Sequence, residues 1–180
     1  MGLDFGTAGG TLSFASGALS RTFTVPIFND TTAEGSAALV LSLSNPNGGA
    51  LLGPQNTSVL TIADNDTAGT VQFAVAAYSV SEVGSALTVT VTRSGGTASS
   101  VTVDYATSDG SASAGSDYTA ASGTISFGAL EVSKTFTVTI LDDGWSEAAS
   151  ETVHLALGNL GGNAQLGATG TAVLFIVDDE

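Results

Sequence analysis

The sequence predicts an all-β chain, and three observations carry the prediction. Apolar and polar residues alternate with period 2 in run after run, as in Thr135-Phe136-Thr137-Val138-Thr139-Ile140, the pattern of a strand with one buried face. Each run is short, rich in Thr and Val, and bounded by Gly, Asn, Asp or Ser, the residues of turns. No window of 11 residues carries the period of a helix.

Taken from the N-terminus, the first expected strand is 10–14, Gly10 to Phe14. The second is 20–28, with Phe23, Val25 and Ile27 on one face and a proline, Pro26, that suggests an edge position or a bulge. Strands at 37–44 and 58–63 follow. Seven more come after residue 70, at about 71–77, 86–93, 100–106, 123–127, 133–141, 151–158 and 171–177. Leu87-Thr88-Val89-Thr90-Val91 and Thr152-Val153-His154-Leu155-Ala156-Leu157 show the alternation most clearly. Seven short strands in roughly 110 residues, each with one apolar face, describe an immunoglobulin-like β-sandwich.

The early strands duplicate the late ones. Gly10-Thr11-Leu12-Ser13-Phe14 recurs as Gly123-Thr124-Ile125-Ser126-Phe127, and Leu19 to Val25 recurs as Val132 to Val138, both at an offset of 113. Further on the offset is 114, so that Ile62-Ala63-Asp64 matches Ile176-Val177-Asp178. A period this long is a whole β-domain in tandem. Residues 70–180 make a complete copy of seven strands, 67–69 a short linker, and 1–66 only the C-terminal half of another copy. The partial copy has no counterpart of residues 71 to about 113, so its inner faces are expected to need covering from elsewhere. The chain thus reads as a fragment of a longer multi-repeat parent.

Composition limits function. Three cationic side chains against 17 acids give a net charge of −14, which argues against partners made of nucleic acid and against anionic membranes. No apolar stretch is long enough to span a bilayer, so no membrane insertion is expected. Without cysteine there is no disulfide framework and no thiolate metal site. His154, the one histidine, alternates with Val153 and Leu155 and reads as a surface strand residue. No nucleophile-elbow sequence supports a serine hydrolase, and acid pairs on a small sandwich offer no sugar-sized cleft, so no enzyme is expected. The triplets starting at Asn29, Asn56 and Asn65 fit the N-glycosylation pattern and are taken as unused.

The acids are the informative residues. In the complete copy they stand at strand ends: Glu82, Asp117, Asp142, Asp143, Glu147, Glu151, Asp178, Asp179 and Glu180. The strands ending near Leu141 and Val177 can run the same way in space, which brings both acid runs to one pole. Converging carboxylates repel unless something neutralises them. Arg21, Arg93 and Lys134 sit in or beside strands and are not placed to do so. A hard divalent cation is; Ca²⁺ accepts six to eight oxygens in irregular geometry, whereas Mg²⁺ demands a strict octahedron. The alternative is that the acids are solvated caps that keep edge strands soluble. Acids doubled and tripled at one pole fit calcium better than caps. Trp145, inside the acidic loop, is expected to pack beside the ion site.

The order and spacing of these segments resemble tandem Calx-beta motifs, the sandwich domains of sodium–calcium exchangers, integrin β4 and bacterial surface proteins. The residues that carry the resemblance are Tyr78 to Gly84, Ser108 to Ala112, Gly115 to Tyr118, Gly123 to Phe127, Lys134 to Val138, Asp142-Asp143 with Glu147, and the closing Ile176 to Glu180. In the partial copy they are Leu43 to Gly49 and Ile62 to Asp66. The resemblance implies calcium at the pole where the last strand ends, with Glu82, Asp117, Asp142, Asp143, Glu147, Glu151, Asp178, Asp179 and Glu180 as its ligands. In the partial copy it implies Asp4, Asp30, Glu34, Asp64 and Asp66. There Asn29 and Asn65 replace two acids of the pattern, so that site is expected to be the weaker.

The expected function is a calcium-binding structural or adhesive repeat of an extracellular protein, bacterial by its composition, with the ion stiffening the junction between domains. The alternatives are a calcium-sensing regulatory module and a subunit of an extracellular filament assembled by strand contacts between chains. The expected partners are adjacent repeat domains of the same parent or neighbouring chains.

Overall fold

The computed structural model describes residues 4–142, 146 and 148–179. The chain divides into two units, Met1–Asn65 and Asp66–Glu180.

The first unit has two strands, β1 (Ala37–Ser42) and β2 (Thr57–Ile62), paired antiparallel with Ala37 opposite Ile62 and Ser42 opposite Thr57. The strands expected at 10–14 and 20–28 do not form ladders; Ile27 makes one isolated bridge, to Phe5. The reason lies in the second unit, where the equivalent segments take their ladder partners from strands that the first unit lacks. An alternating segment without a partner strand has no one to share its backbone hydrogen bonds with.

The second unit contains β3 (Thr70–Phe73), β4 (Ala77–Ser81), a 3₁₀ turn at Glu82–Gly84, β5 (Ala86–Ser94), β6 (Val101–Asp109), β7 (Ser122–Phe127), β8 (Ser133–Thr139), β9 (Glu151–Gly161), β10 (Gln165–Leu166) and β11 (Thr171–Val177). One sheet has the order β10-β3-β5-β8 and the other β4-β11-β9-β6-β7. Their inner faces meet in a core of Val71, Phe73, Val89, Val91, Val101, Val103, Phe127, Val138, Val153, Leu155 and Leu174. Tyr105 stacks on Phe136 at 3.9 Å between ring centroids.

The single strand expected at 71–77 is two strands on different sheets. β3 pairs antiparallel with β5, and β4 pairs parallel with β11. The continuous apolar run through Ala74-Val75-Ala76 hides this crossing, because it has no alternation or turn residue to mark where one strand ends and the next begins.

Residues 67–69, read as a linker, are packed into the second unit. Ala68 is buried and its carbonyl accepts a 2.7 Å hydrogen bond from Arg93 Nε. Gly69 has φ +79°, and a Cβ there would lie 2.2 Å from the Gly96 carbonyl oxygen, so only glycine fits. Arg93, only 2% exposed, also donates to the carbonyls of Ala98, Ser99 and Gly128. Burial depresses its pKa, and backbone oxygens rather than a carboxylate compensate the charge. No helix among the described residues is long and apolar enough to cross a membrane.

Candidate metal centre

The strand registers decide where the acids go. β4 runs parallel to β11 with Ser81 opposite Val177, so Glu82 and Asp178 leave the same end of the sheet. β9 enters at that end, Glu151 opposite Ile176. In the other sheet Ala86 lies opposite Thr139, and Ile140 N donates to Ser85 O at 3.1 Å, just past the 3₁₀ turn. Leu141 N donates to Asp117 O at 3.0 Å. Glu82, Asp117, Asp142, Glu151, Asp178 and Asp179 therefore share one pole of the second unit. Glu82 and Asp117 are buried, at 3% and 6% exposure, and Oδ1 of Asp178 is shut off from solvent. Buried carboxylates cost free energy unless charge or donors compensate them. Asp117 Oδ2 accepts a 2.7 Å hydrogen bond from Ser113 N. Asp143, Glu147, Glu180 and Trp145 lie outside the described residues.

The first unit repeats part of this frame. Gly6 N donates to Pro26 O and Phe28 N to Asp4 O, both at 2.9 Å. Shifted by 113 residues, these are the bonds from Thr119 N to Thr139 O and from Leu141 N to Asp117 O. Asp4 thus stands where Asp117 stands, and Asp30 and Glu34 fall at the positions of Asp143 and Glu147 in the sequence.

Carboxylate oxygens of Asp4, Asp30 and Glu34 all lie within 4.8 Å of one another, the one such group of three acids among the described residues. Asp30 is oriented by Thr32 N, which donates to its Oδ1 at 2.7 Å. Asp64 is tied in because Glu34 N donates to its Oδ2 at 2.8 Å. Asp66 is not part of the group of three and is the first residue of the second unit. Contact with Asp4 raises the pKa of Glu34 above 4.5, chiefly through a shared hydrogen bond and then through charge, with Asp30 and Asp64 adding repulsion.

The cluster fits a hard cation by its chemistry. It offers only carboxylate oxygens, half-buried and crowded. The cationic side chains are engaged elsewhere: Arg21 with Ser13 O, Arg93 with the carbonyls above, and Lys134 with Glu131 at 2.8 Å.

The three remaining acids have structural partners. Asp104 accepts from Thr124 and Asn159, which lowers its pKa. Glu131 pairs with Lys134 and accepts from Gly128 N. Asp109 is more than a bystander, a role sequence reasoning missed. Its Oδ1 accepts from the Tyr118 hydroxyl at 2.6 Å and from Ala114 N at 2.9 Å, which lowers its pKa. Burial, then Asp109, pushes the Tyr118 phenol up to about 12. This clamp shapes the loop that carries Asp117. Its only sequence trace is the Ser108-Asp109-Gly110 turn, which says nothing of Tyr118.

The chain is 32% identical to sodium/calcium exchanger 1 of Canis lupus familiaris over 136 residues, 66% of this chain and 14% of the exchanger. It thus spans only a small part of the curated relatives it matches. It resembles the crystal structure of the apo-form Calx CBD1 domain with a TM-score of 0.60 and 30% identity, covering 62% of this chain and 97% of that one. The structure of calcium binding domain CBD12 of CALX1.1 matches with a TM-score of 0.58 and 30% identity, covering 61% of this chain and 45% of that one. The Calx-beta domain model matches residues 1–66 and again 64–180, and the chain belongs to that family.

Proposed function

We propose that this chain is a calcium-sensing pair of Calx-beta modules, a binding device rather than a catalyst. The observation that carries the reading is the Asp4, Asp30, Glu34 group, three carboxylates with oxygens within 4.8 Å of one another, whose mutual repulsion a divalent cation would relieve. Calcium would supply the neutralising charge and bind six to eight oxygens. In the first unit Asp4, Asp30 and Glu34 would hold it, with Asp64 next to them. In the second the candidates are Glu82, Asp117, Asp142, Asp143, Glu147, Glu151, Asp178, Asp179 and Glu180. Asp30 keeps its orientation through Thr32 N, and Asp117 through Ser113 N and the clamp behind its loop. Both loops are therefore poised to order around an ion. The relatives that the chain matches are exchangers and a calcium binding domain, which favours sensing over a passive adhesive spacer.

Calorimetric titration of the 180-residue chain tests this. Submicromolar binding fits a sensor, and millimolar binding an extracellular strut. Asp30→Asn with Glu34→Gln removes one class of sites, and Asp142→Asn with Asp143→Asn another. Asp104→Asn, outside both clusters, changes neither. Titration curves without binding heat, or unaffected by all four cluster substitutions, overturn the proposal.

A further inference from the structure

The loop after β6 crosses between the two sheets of the second unit at its acid pole. It leaves the five-stranded sheet at Asp109, the last residue of β6. It reaches the end of β8 at Tyr118, which bridges to Ile140, and at Thr119, whose N donates to Thr139 O at 2.9 Å. Two locks hold the loop. In the first, Asp109 Oδ1 accepts from Ala114 N and from the hydroxyl of Tyr118, a residue only 1% exposed, so the start of the loop is tied to its end. The second is a reciprocal pair with β9. Ser111 N donates to Thr152 Oγ1 at 3.0 Å, Thr152 N to Ser111 Oγ at 2.9 Å, and Ala112 N to Thr152 O at 3.1 Å. The approach is so close that a Cβ on Gly110 would lie 2.5 Å from the Thr152 carbonyl oxygen. Each lock adjoins a candidate ligand. Asp117 precedes Tyr118 and accepts from Ser113 N, and Glu151 precedes Thr152.

We infer that Asp109 is a positioning residue for the metal site of the second unit: acting through Tyr118 and the 111–113 turn, it fixes Asp117 relative to Glu151 before an ion arrives. The inference rests on the calcium reading above and adds a residue that is not itself a ligand. A ligand that must be ordered on binding loses conformational freedom at that moment and weakens affinity. A loop already closed by Asp109 has lost that freedom in folding. The role belongs to the hydrogen bonds and not to the charge. Both donors end on one oxygen, and an amide oxygen, with two lone pairs, can accept both. The role is also confined to the second unit. Phe5 stands in the first unit where Tyr118 stands in the second, and it has no hydroxyl to donate.

The test is calorimetric titration of the full chain with calcium, in an Asp30→Asn, Glu34→Gln background that leaves the sites of the second unit. Asp109→Ala should weaken binding about tenfold, through lost hydrogen bonds to a charged group. Asp109→Asn keeps an oxygen for both donors and should stay within about threefold of the background chain. Tyr118→Phe should weaken binding in the same direction and add little to Asp109→Ala, since the bond they share is already gone. Exchange of the Ser113 amide, which donates to Asp117, should quicken without calcium in Asp109→Ala and not in Asp109→Asn. Melting curves establish that each variant is folded at the titration temperature; where Asp109→Ala is not, Tyr118→Phe against Asp109→Asn makes the same comparison. Binding that Asp109→Ala and Tyr118→Phe leave unchanged overturns the inference. So does a loss in Asp109→Asn as large as in Asp109→Ala, which makes Asp109 a charge acting on the ion. Neither result touches the calcium reading. That reading fails, and this inference with it, when the background chain binds no calcium at all.

Discussion

Phe127 and Phe14 stand at equivalent places in two copies of one sequence pattern, and one is buried while the other faces solvent. Around them much is conserved between the copies. β1 and β2 pair in the same register as β9 and β11: Ser42 opposite Thr57 becomes Ala156 opposite Thr171, and Ala37 opposite Ile62 becomes Glu151 opposite Ile176. The bridge from Phe5 to Ile27 becomes the bridge from Tyr118 to Ile140. What differs is the set of covering strands. The comparison separates two properties usually found together. Local pairing and loop geometry, including the convergence of Asp4 with its neighbours, persist in the first unit. Burial of the inner faces does not.

Core truncation should break the symmetry most. Phe127→Ala in the second unit is expected to cost about 3–5 kcal/mol, through lost transfer energy and the cavity left behind. Phe14→Ala should stay within about 0.5 kcal/mol, as for a surface substitution. Denaturant unfolding of both variants checks this; equal losses would mean that the first unit has a closed core.

A smaller effect is expected where the copies differ by one hydroxyl. Tyr118 of the second unit corresponds to Phe5 of the first. Tyr118→Phe removes the hydrogen bond to Asp109 and should lower the melting temperature by a few degrees at neutral pH. The sign with pH follows from the depressed pKa of Asp109. Stability tied to a depressed carboxylate is present above its unfolded value and is lost as pH falls through its folded value. The difference between wild type and Tyr118→Phe should therefore shrink as pH falls below 3.8, the ordinary value for this group. Thermal melts across the acid range measure it.

The smallest expected effect concerns the proton in the first unit's cluster. The folded pKa of Glu34 is raised, so the stability tied to its proton is present at low pH and is lost as pH rises through that folded value. A calcium ion competes with this proton. Calcium binding should release protons in the acid range, above the ordinary carboxylate value, and tighten as pH rises. Titrations in two buffers of different ionisation heat detect the release, and Glu34→Gln should abolish it.

Much of this fold is legible in the chain itself. The period-2 runs place β5, β7, β8, β9 and β11 within a few residues, because alternation records which side of a strand is buried in the finished sheet. The repeat anticipates the register of β1 with β2. The candidate site is legible as residue types at strand ends. The calcium expectation joins the sequence reading to the oxygen-only cluster found in the first unit, while Asp143, Glu147 and Glu180 have no described geometry to add to it.

Other features required the tertiary structure. The change of sheets between β3 and β4 leaves no mark in alternation, which reports burial but not the identity of the neighbour. The strands expected at 10–14 and 20–28 have the right pattern and no ladder, since pairing needs a second strand that residues 1–65 lack. The sequence places Arg93 only in or beside a strand, and the structure makes it a buried clamp on the carbonyls of Ala68 and the 98–99 loop. The Asp109 clamp on Tyr118 joins residues whose partnership depends on how a loop folds back. The sequence by itself determined the strand pattern, the repeat and the excess of acids at strand ends, because these are set by local alternation and composition. Only the tertiary structure decided which acids converge and which faces remain open, because both depend on registers between strands distant in the chain.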